Sequence, residues 1–183
     1  MNVAVLGSGS WATALAKIVM HNVAEINWYI RKQETIDEFR EIRRNPNHLV
    51  WSYFDSSRII FSIGINQVLS EAELVILAVP SPYVKDVLAE ITVDMSQKKV
   101  ISAVKGMIPG DNILVTDYMH QHFHVPEANL GMITGPCHAE EIALERLSYL
   151  TIGCKDTANA TEWQKLFDTP YVRTTPSNDM KGL

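Results

Sequence analysis

Apolar positions along the chain fall in short runs that alternate between two periods. Val3–Leu6 is continuously apolar and reads as a buried strand, whereas Ala12–Val19 places Leu15, Ile18 and Val19 at helical spacing. Ile26–Ile30 is a second β-rich run. Glu34–Arg44 has amphipathic helical character, and Asn45-Pro46-Asn47 breaks it. Further strands are predicted over Arg58–Ile63, Leu74–Val79, Lys99–Val104, Leu130–Thr134, Leu150–Gly153 and Tyr171–Thr174, with helices over Val84–Ile91, His138–Leu144 and Ala158–Phe167. Leu74–Val79 is the plainest of the strands, stopped by Pro80 and Pro82. This alternation predicts an α/β fold, a mostly parallel sheet with helices on both faces. No internal repeat or low-complexity linker interrupts it.

The first strand runs into Gly7-Ser8-Gly9-Ser10-Trp11-Ala12 and then directly into a helix. This is the context in which a glycine-rich turn binds a dinucleotide. The first glycine permits the tight turn, the second lets the backbone approach a pyrophosphate, and a small third residue allows close helix–strand packing. Ala12 takes that third role with one extra methyl. Free N–H groups at the helix start then face the phosphates, and the expected fold is Rossmann-like. Gly7 and Gly9 are thus candidate cofactor residues. The second strand ends in Arg31-Lys32, without the carboxylate that usually bonds an NAD ribose about 20 residues after the glycines. A carboxylate would repel a 2′-phosphate and a guanidinium grips one. Arg31, aided by Lys32, therefore points to NADPH as the preferred cofactor, with NADH possible. The alternative is that both are solvated cations.

Composition narrows the partners. The 183 residues are 46% hydrophobic and 20% charged, as in an ordinary soluble globular protein. A net charge of −5 and a pI near 5.6 leave no basic footprint for nucleic acid. No eighteen-residue apolar run spans a membrane, and the N-terminus lacks a signal-peptide pattern. Cys137 and Cys154 are too few for a disulfide framework, and a cytoplasmic location is expected. His120, His122 and His124 alternate in "HQHFH", which would share one face of a strand, but no carboxylate or cysteine completes a metal site, and a solvated loop is the preferred reading.

Two later motifs follow strands. Lys105 comes after "KVISAV", at a carboxyl end of the sheet where open α/β folds bind ligands, and its ammonium is suited to attract an anion. A solvated turn lysine is the plainer reading of the residue in isolation. Gly135-Pro136-Cys137-His138-Ala139 follows "GMIT" and starts a helix whose N–H groups suit an anion, or it is a turn with a capping histidine. Cys137 lacks a base and an orienting partner nearby and reads as a small packing residue, not a nucleophile.

Taken in order, "GSGSWATALA", "AVPSPYV", "SAVKGM" and "ITGPCHAEEIA" closely resemble NAD(P)-dependent glycerol-3-phosphate dehydrogenase of the bacterial type, over essentially the whole chain. The resemblance implies hydride transfer between NAD(P)H and dihydroxyacetone phosphate, giving sn-glycerol 3-phosphate for phospholipid synthesis. It implies cofactor contacts at Ser10, Trp11, Arg31, Lys32, Tyr83, Lys105 and Ala139. Substrate contacts fall at Lys105, Gly135 and Cys137, with Lys105 in the catalytic region. Ala12 departs from the family's usual glycine, and "NPNHLVWSYFDSS" matches its corresponding loop only loosely.

The resemblance also implies an all-helical second domain after the "SNDMKGL" ending. Residues 1–176 are then the dinucleotide-binding domain and residues 177–183 the start of the connection. The general-acid lysine is expected beyond Leu183; Lys181 lies in a different register. On this reading the chain binds cofactor with negligible turnover, and the complete enzyme is a homodimer. Two alternatives stand beside it: another reductase with the same core (ketopantoate-reductase-like or a 3-hydroxyacid dehydrogenase), and a non-catalytic NADPH-binding module that regulates a partner.

Overall fold

The two most apolar segments lie side by side at the centre of the sheet. In a computed structural model, which describes residues 1–183, β1 (Val3–Leu6) and β4 (Leu74–Leu77) are buried at every position. They pair in parallel with Val3 opposite Leu74 and Leu6 opposite Leu77. Around them lie β2 (Ile26–Tyr29), β3 (Ile59–Ser62), β5 (Lys99–Ser102), β6 (Leu130–Thr134), β7 (Ser148–Cys154) and β8 (Val172–Ser177). The order is β3-β2-β1-β4-β5-β6-β7-β8, with every pair parallel except β6–β7. The chain thus winds outward in both directions from β1 and β4. The reversal opens a crevice at the carboxyl ends of these two strands, the usual ligand position in such sheets.

The helices are α1 (Ser10–Val19), α2 (Gln33–Ile42), α3 (Ile65–Ser70), α4 (Val84–Ala89), α5 (Val115–Phe123), α6 (Ala139–Ala143) and α7 (Thr157–Phe167). Because side chains alternate across a strand, β1 feeds two cores. Val3 and Val5 join α1, α2, α6 and α7 on one face; Ala4 and Leu6 join α3, α4 and α5 on the other. Close packing in the antiparallel part rests on Gly131, where a Cβ would stand 2.2 Å from the Trp163 ring of α7. No helix is long and apolar enough to cross a membrane.

The expected strands all form, several with ends shifted by one to three residues. Two helices were not predicted. α3 is a single short run after a glycine, too brief for its period to stand out. α5 absorbs most of "HQHFH", so the loop reading is corrected. Val115 and Met119, four apart, are buried on the sheet and draw the segment into a helix. The histidines lie at its end and diverge. His120 Nδ1 is bonded to the Val125 carbonyl at 2.9 Å, His122 packs on Tyr118 with ring centres 4.1 Å apart, and His124 ends the helix in the left-handed region at φ 55°.

Candidate functional site

The turn between β1 and α1 is built by steric demand at one glycine and vacancy at the next. Gly7 holds φ at +124°, and a Cβ there would stand 2.4 Å from the Ala78 carbonyl oxygen just beyond β4. The turn can press against β4 only with glycine at this position. Gly9 is the N-cap of α1, and a Cβ there would meet nothing within 4 Å. Its side is open space over the helix start. No side chain caps α1 and no acidic residue lies in its first turn, so the N–H groups that a helix leaves without internal acceptors remain available to an anion.

Other residues hold this turn from behind. The fully buried Trp28 donates its Nε1–H to the Gly7 carbonyl at 2.7 Å and packs among Phe39, Phe54 and Phe61. Thr13 Oγ1 donates to the Gly9 carbonyl at 2.8 Å. Asn45, also fully buried, donates Nδ2–H to the Ser8 carbonyl at 2.9 Å and to Thr13 Oγ1 at 2.8 Å, while its Oδ1 accepts the N–H groups of Asn47 and His48. Sequence reasoning took Asn45 only as part of a helix breaker and passed over Trp28 altogether. An Asn before Pro whose carbonyl closes a turn two and three residues on is a known local signal; its reach back to Ser8 and Thr13 is tertiary.

A cleft of about 430 Å³ opens over the turn, lined by Gly9, Ser10 and Trp11, by Ala78–Pro82 after β4, by Ala103 and Lys105 after β5, and by His138–Glu140. The Lys105 ammonium lies over the Trp11 ring, 5.6 Å from its centre. Beyond this pair a second cleft of about 370 Å³ is bordered by Gly106, Thr134 and Gly135, with Trp11, Ala103 and Lys105 shared between the two. Residues from four separate stretches of sequence are thus brought to one crevice.

The remaining expected residues are distributed around it. Arg31 and Lys32 follow β2, exposed, and neither takes part in an ion pair. Beside them Tyr29 is buried, and its hydroxyl pKa is raised by desolvation and by Glu90, with the Arg31 charge opposing. Tyr83 is 57% exposed and does not line either cleft, unlike its neighbours Ser81 and Pro82. Cys137 is buried, its thiol donates to the Tyr149 carbonyl at 3.0 Å, and it lines neither cleft. Gly135 packs where a Cβ would stand 2.7 Å from that same carbonyl.

Of the two readings of the segment after Gly135, a helix start suited to an anion or a turn with a capping histidine, the second describes α6, whose N-cap is His138. α6 has only five residues and carries Glu140 and Glu141 in its first turn. Glu141 also turns back to accept the His138 N–H at 3.3 Å. Negative charge already occupies the favourable end of this short helix, whereas the first turn of α1 carries none.

Comparison with known proteins agrees with this geometry. Residues 2–160 match the family described as NAD-dependent glycerol-3-phosphate dehydrogenase N-terminus. A relative from Exiguobacterium sp., named glycerol-3-phosphate dehydrogenase [NAD(P)+], is 29% identical over 183 residues, covering 99% of this chain and 53% of the relative. One from Oceanobacillus iheyensis with the same name is 29% identical, covering 99% and 52%. A solved structure of glycerol-3-phosphate dehydrogenase from Plasmodium falciparum superposes with a TM-score of 0.88 at 29% identity, covering 98% of this chain and 53% of that one. The chain spans about half the length of these relatives. With the glycine turn, the lysine after β5 and the sheet order all in place, the chain belongs to the N-terminal family of NAD-dependent glycerol-3-phosphate dehydrogenases.

Proposed function

We propose that residues 1–176 are the dinucleotide-binding part of an NAD(P)-dependent glycerol-3-phosphate dehydrogenase, with residues 177–183 leading toward a helical substrate part. The observation that carries this reading is the shared crevice, in which Lys105 lies over Trp11 and both line one cleft with Gly9 and Ser10 at the uncapped start of α1. The residues fit a pyrophosphate: an open glycine, free first-turn N–H groups and no carboxylate in that turn. A bound nicotinamide supplies or accepts the hydride. Gly7 and Gly9 shape the cradle, Ser10, Trp11 and Ala139 border the dinucleotide, and Tyr83 flanks its path.

Lys105, shared between the two clefts, attracts the phosphate of dihydroxyacetone phosphate or sn-glycerol 3-phosphate and stabilises negative charge that develops on the carbonyl oxygen. Gly135 borders the second cleft and meets the substrate there, and Cys137 packs behind it. The proton for that oxygen comes from a lysine in the remaining half of the complete enzyme, a cytoplasmic homodimer that supplies glycerol phosphate for phospholipid synthesis. The 183 residues alone bind cofactor with negligible turnover. Arg31 and Lys32, exposed and unpaired, favour NADPH through its 2′-phosphate.

Titration with NADPH and NADH, followed by tryptophan fluorescence and calorimetry, tests this. The expected result is saturable binding, tighter for NADPH. Arg31→Ala is expected to cost about tenfold in NADPH affinity and less than about twofold in NADH affinity. Absence of binding by either nucleotide would overturn the reading. Rapid NADPH oxidation with dihydroxyacetone phosphate would overturn the assignment of the proton donor to the other half.

A further inference from the structure

The segment from Asn45 to Ser57, which resembles the family's corresponding loop only loosely, lies against the glycine turn. Its tip is fixed in place. Asn45 is fully buried and uses both ends of its amide, donating to Ser8 and Thr13 and accepting from the backbone of Asn47 and His48. The result is a rigid arm between the glycine turn and His48. At the end of this arm His48 Nδ1 is hydrogen-bonded to Ser10 Oγ at 3.2 Å. Ser10 is the first residue of α1 and borders the main cleft. The half-buried imidazole thus reaches the first residue of the helix from outside the residues that line the two clefts, and its Nε2 forms no hydrogen bond within the chain. Across the cleft the charged groups are Lys105 and Glu140, with His138 between them in the chain. On the side of the loop, His48 is the one ionisable residue tied to the turn.

From this geometry we infer that His48 is a dinucleotide-binding residue, donating a hydrogen bond to the pyrophosphate at the α1 N-terminus, with Asn45 as the residue that positions it. The inference rests on the dinucleotide reading above and adds to it a contact from the loop after α2. The Ser10 hydroxyl and the His48 ring share one hydrogen bond, so an imidazole nitrogen that accepts from Ser10 leaves the other as a donor. Backbone N–H groups of the first turn approach the phosphates from below; the imidazole approaches from the side of α2.

The test uses the whole chain with NADPH and with 2′-AMP, which carries the 2′-phosphate but no pyrophosphate. Calorimetry on wild type, His48→Ala and His48→Gln is combined with nitrogen-15 spectra of the histidine rings, the His48 signals being identified by their loss in His48→Gln. The inference expects NADPH affinity to fall about tenfold in His48→Ala and to recover in part in His48→Gln, whose amide can donate. It expects 2′-AMP affinity to change less than twofold in either variant, and the His48 ring nitrogens to shift on NADPH binding. Wild-type binding of NADPH that His48→Ala retains within twofold, with no shift of the His48 nitrogens, would overturn it. An equal loss for NADPH and 2′-AMP would do so as well, since it marks a general disturbance of the loop. Failure of wild type to bind NADPH would overturn the dinucleotide reading itself, and this inference with it.

Discussion

Gly7 and Gly9 occupy one turn yet answer to different constraints, and substitution separates them. A methyl on Gly7 would fall 2.4 Å from the Ala78 carbonyl at a φ that residues with side chains rarely adopt. The obstruction is backbone of the central sheet and has no flexible end to move. Gly7→Ala is expected to destabilise the fold by about 3 kcal/mol or more in urea unfolding. Gly9→Ala meets open space at φ −76°. It is expected to cost less than about 1 kcal/mol in stability while weakening NADPH binding in calorimetry, because on the proposed function the new methyl stands where the phosphates would approach. Asn45→Ala belongs with Gly7. It leaves the Ser8 carbonyl and two loop N–H groups without their partners, and a loss of about 2 to 3 kcal/mol is expected by the same unfolding measurement.

At the scale of elements, α1 carries the site and is held at both ends. Its start is fixed by Thr13 and Asn45. Its end is fixed by Arg58, which donates to the carbonyls of Met20 and Val23 at 2.6 Å each and of Ala24 at 2.8 Å. These are the carbonyls of the chain leaving the helix, and a cation there also suits the negative end of the dipole. Lys17 ties the helix to α6 through the Ala143 carbonyl at 3.0 Å and Glu145 at 3.1 Å. Arg58→Ala is expected to lower stability by about 2 kcal/mol in thermal and urea unfolding. Arg58→Lys should recover little of it, because one ammonium on a flexible stem cannot meet three carbonyls in the geometry of a guanidinium.

Across the whole molecule, the end of α1 is tied to the far edge of the sheet. Tyr171, next to β8, shares a hydrogen bond with His21 Nε2 at 3.0 Å, and Asn22 donates to the Leu166 and Asp168 carbonyls. Burial, helped by Glu145, pushes the Tyr171 hydroxyl from its ordinary 10.0 up to about 12. Below pH 10 folded and unfolded chains both keep this proton, and the contribution to stability is complete. Between pH 10 and 12 the unfolded chain loses it first, so stability falls as pH rises, by about 2 to 3 kcal/mol in total for two units. Tyr171→Phe is expected to flatten this alkaline limb in unfolding measured against pH, at a cost of about 1 kcal/mol near neutrality for the lost hydrogen bond. The cofactor acts on the same global equilibrium. NADPH at about one hundred times its Kd should add about 2.7 kcal/mol and raise Tm by roughly 5 to 10 °C, an effect absent from a chain that binds no dinucleotide.

The sequence by itself determined the order and type of most elements and the identity of the glycine turn. Both are local: a run such as Leu74–Leu77 has no polar position to expose and must lie inside a sheet, and Gly7 is required wherever a strand turns sharply into a helix. It also carried the residues after β4 and β5 to the crevice, because ligands gather at the carboxyl ends of such strands. Tertiary structure decided what sequence distance conceals. Trp28, Asn45 and His48 join the turn from 21, 37 and 38 residues away from their partners, through hydrogen bonds that link residues distant in sequence. It likewise made α5 a helix by burying Val115 and Met119, turned Cys137 away from the clefts onto the Tyr149 carbonyl, and charged the start of α6 against anions. Periodicity reports which face of an element is buried, but only packing settles which distant groups that burial brings together.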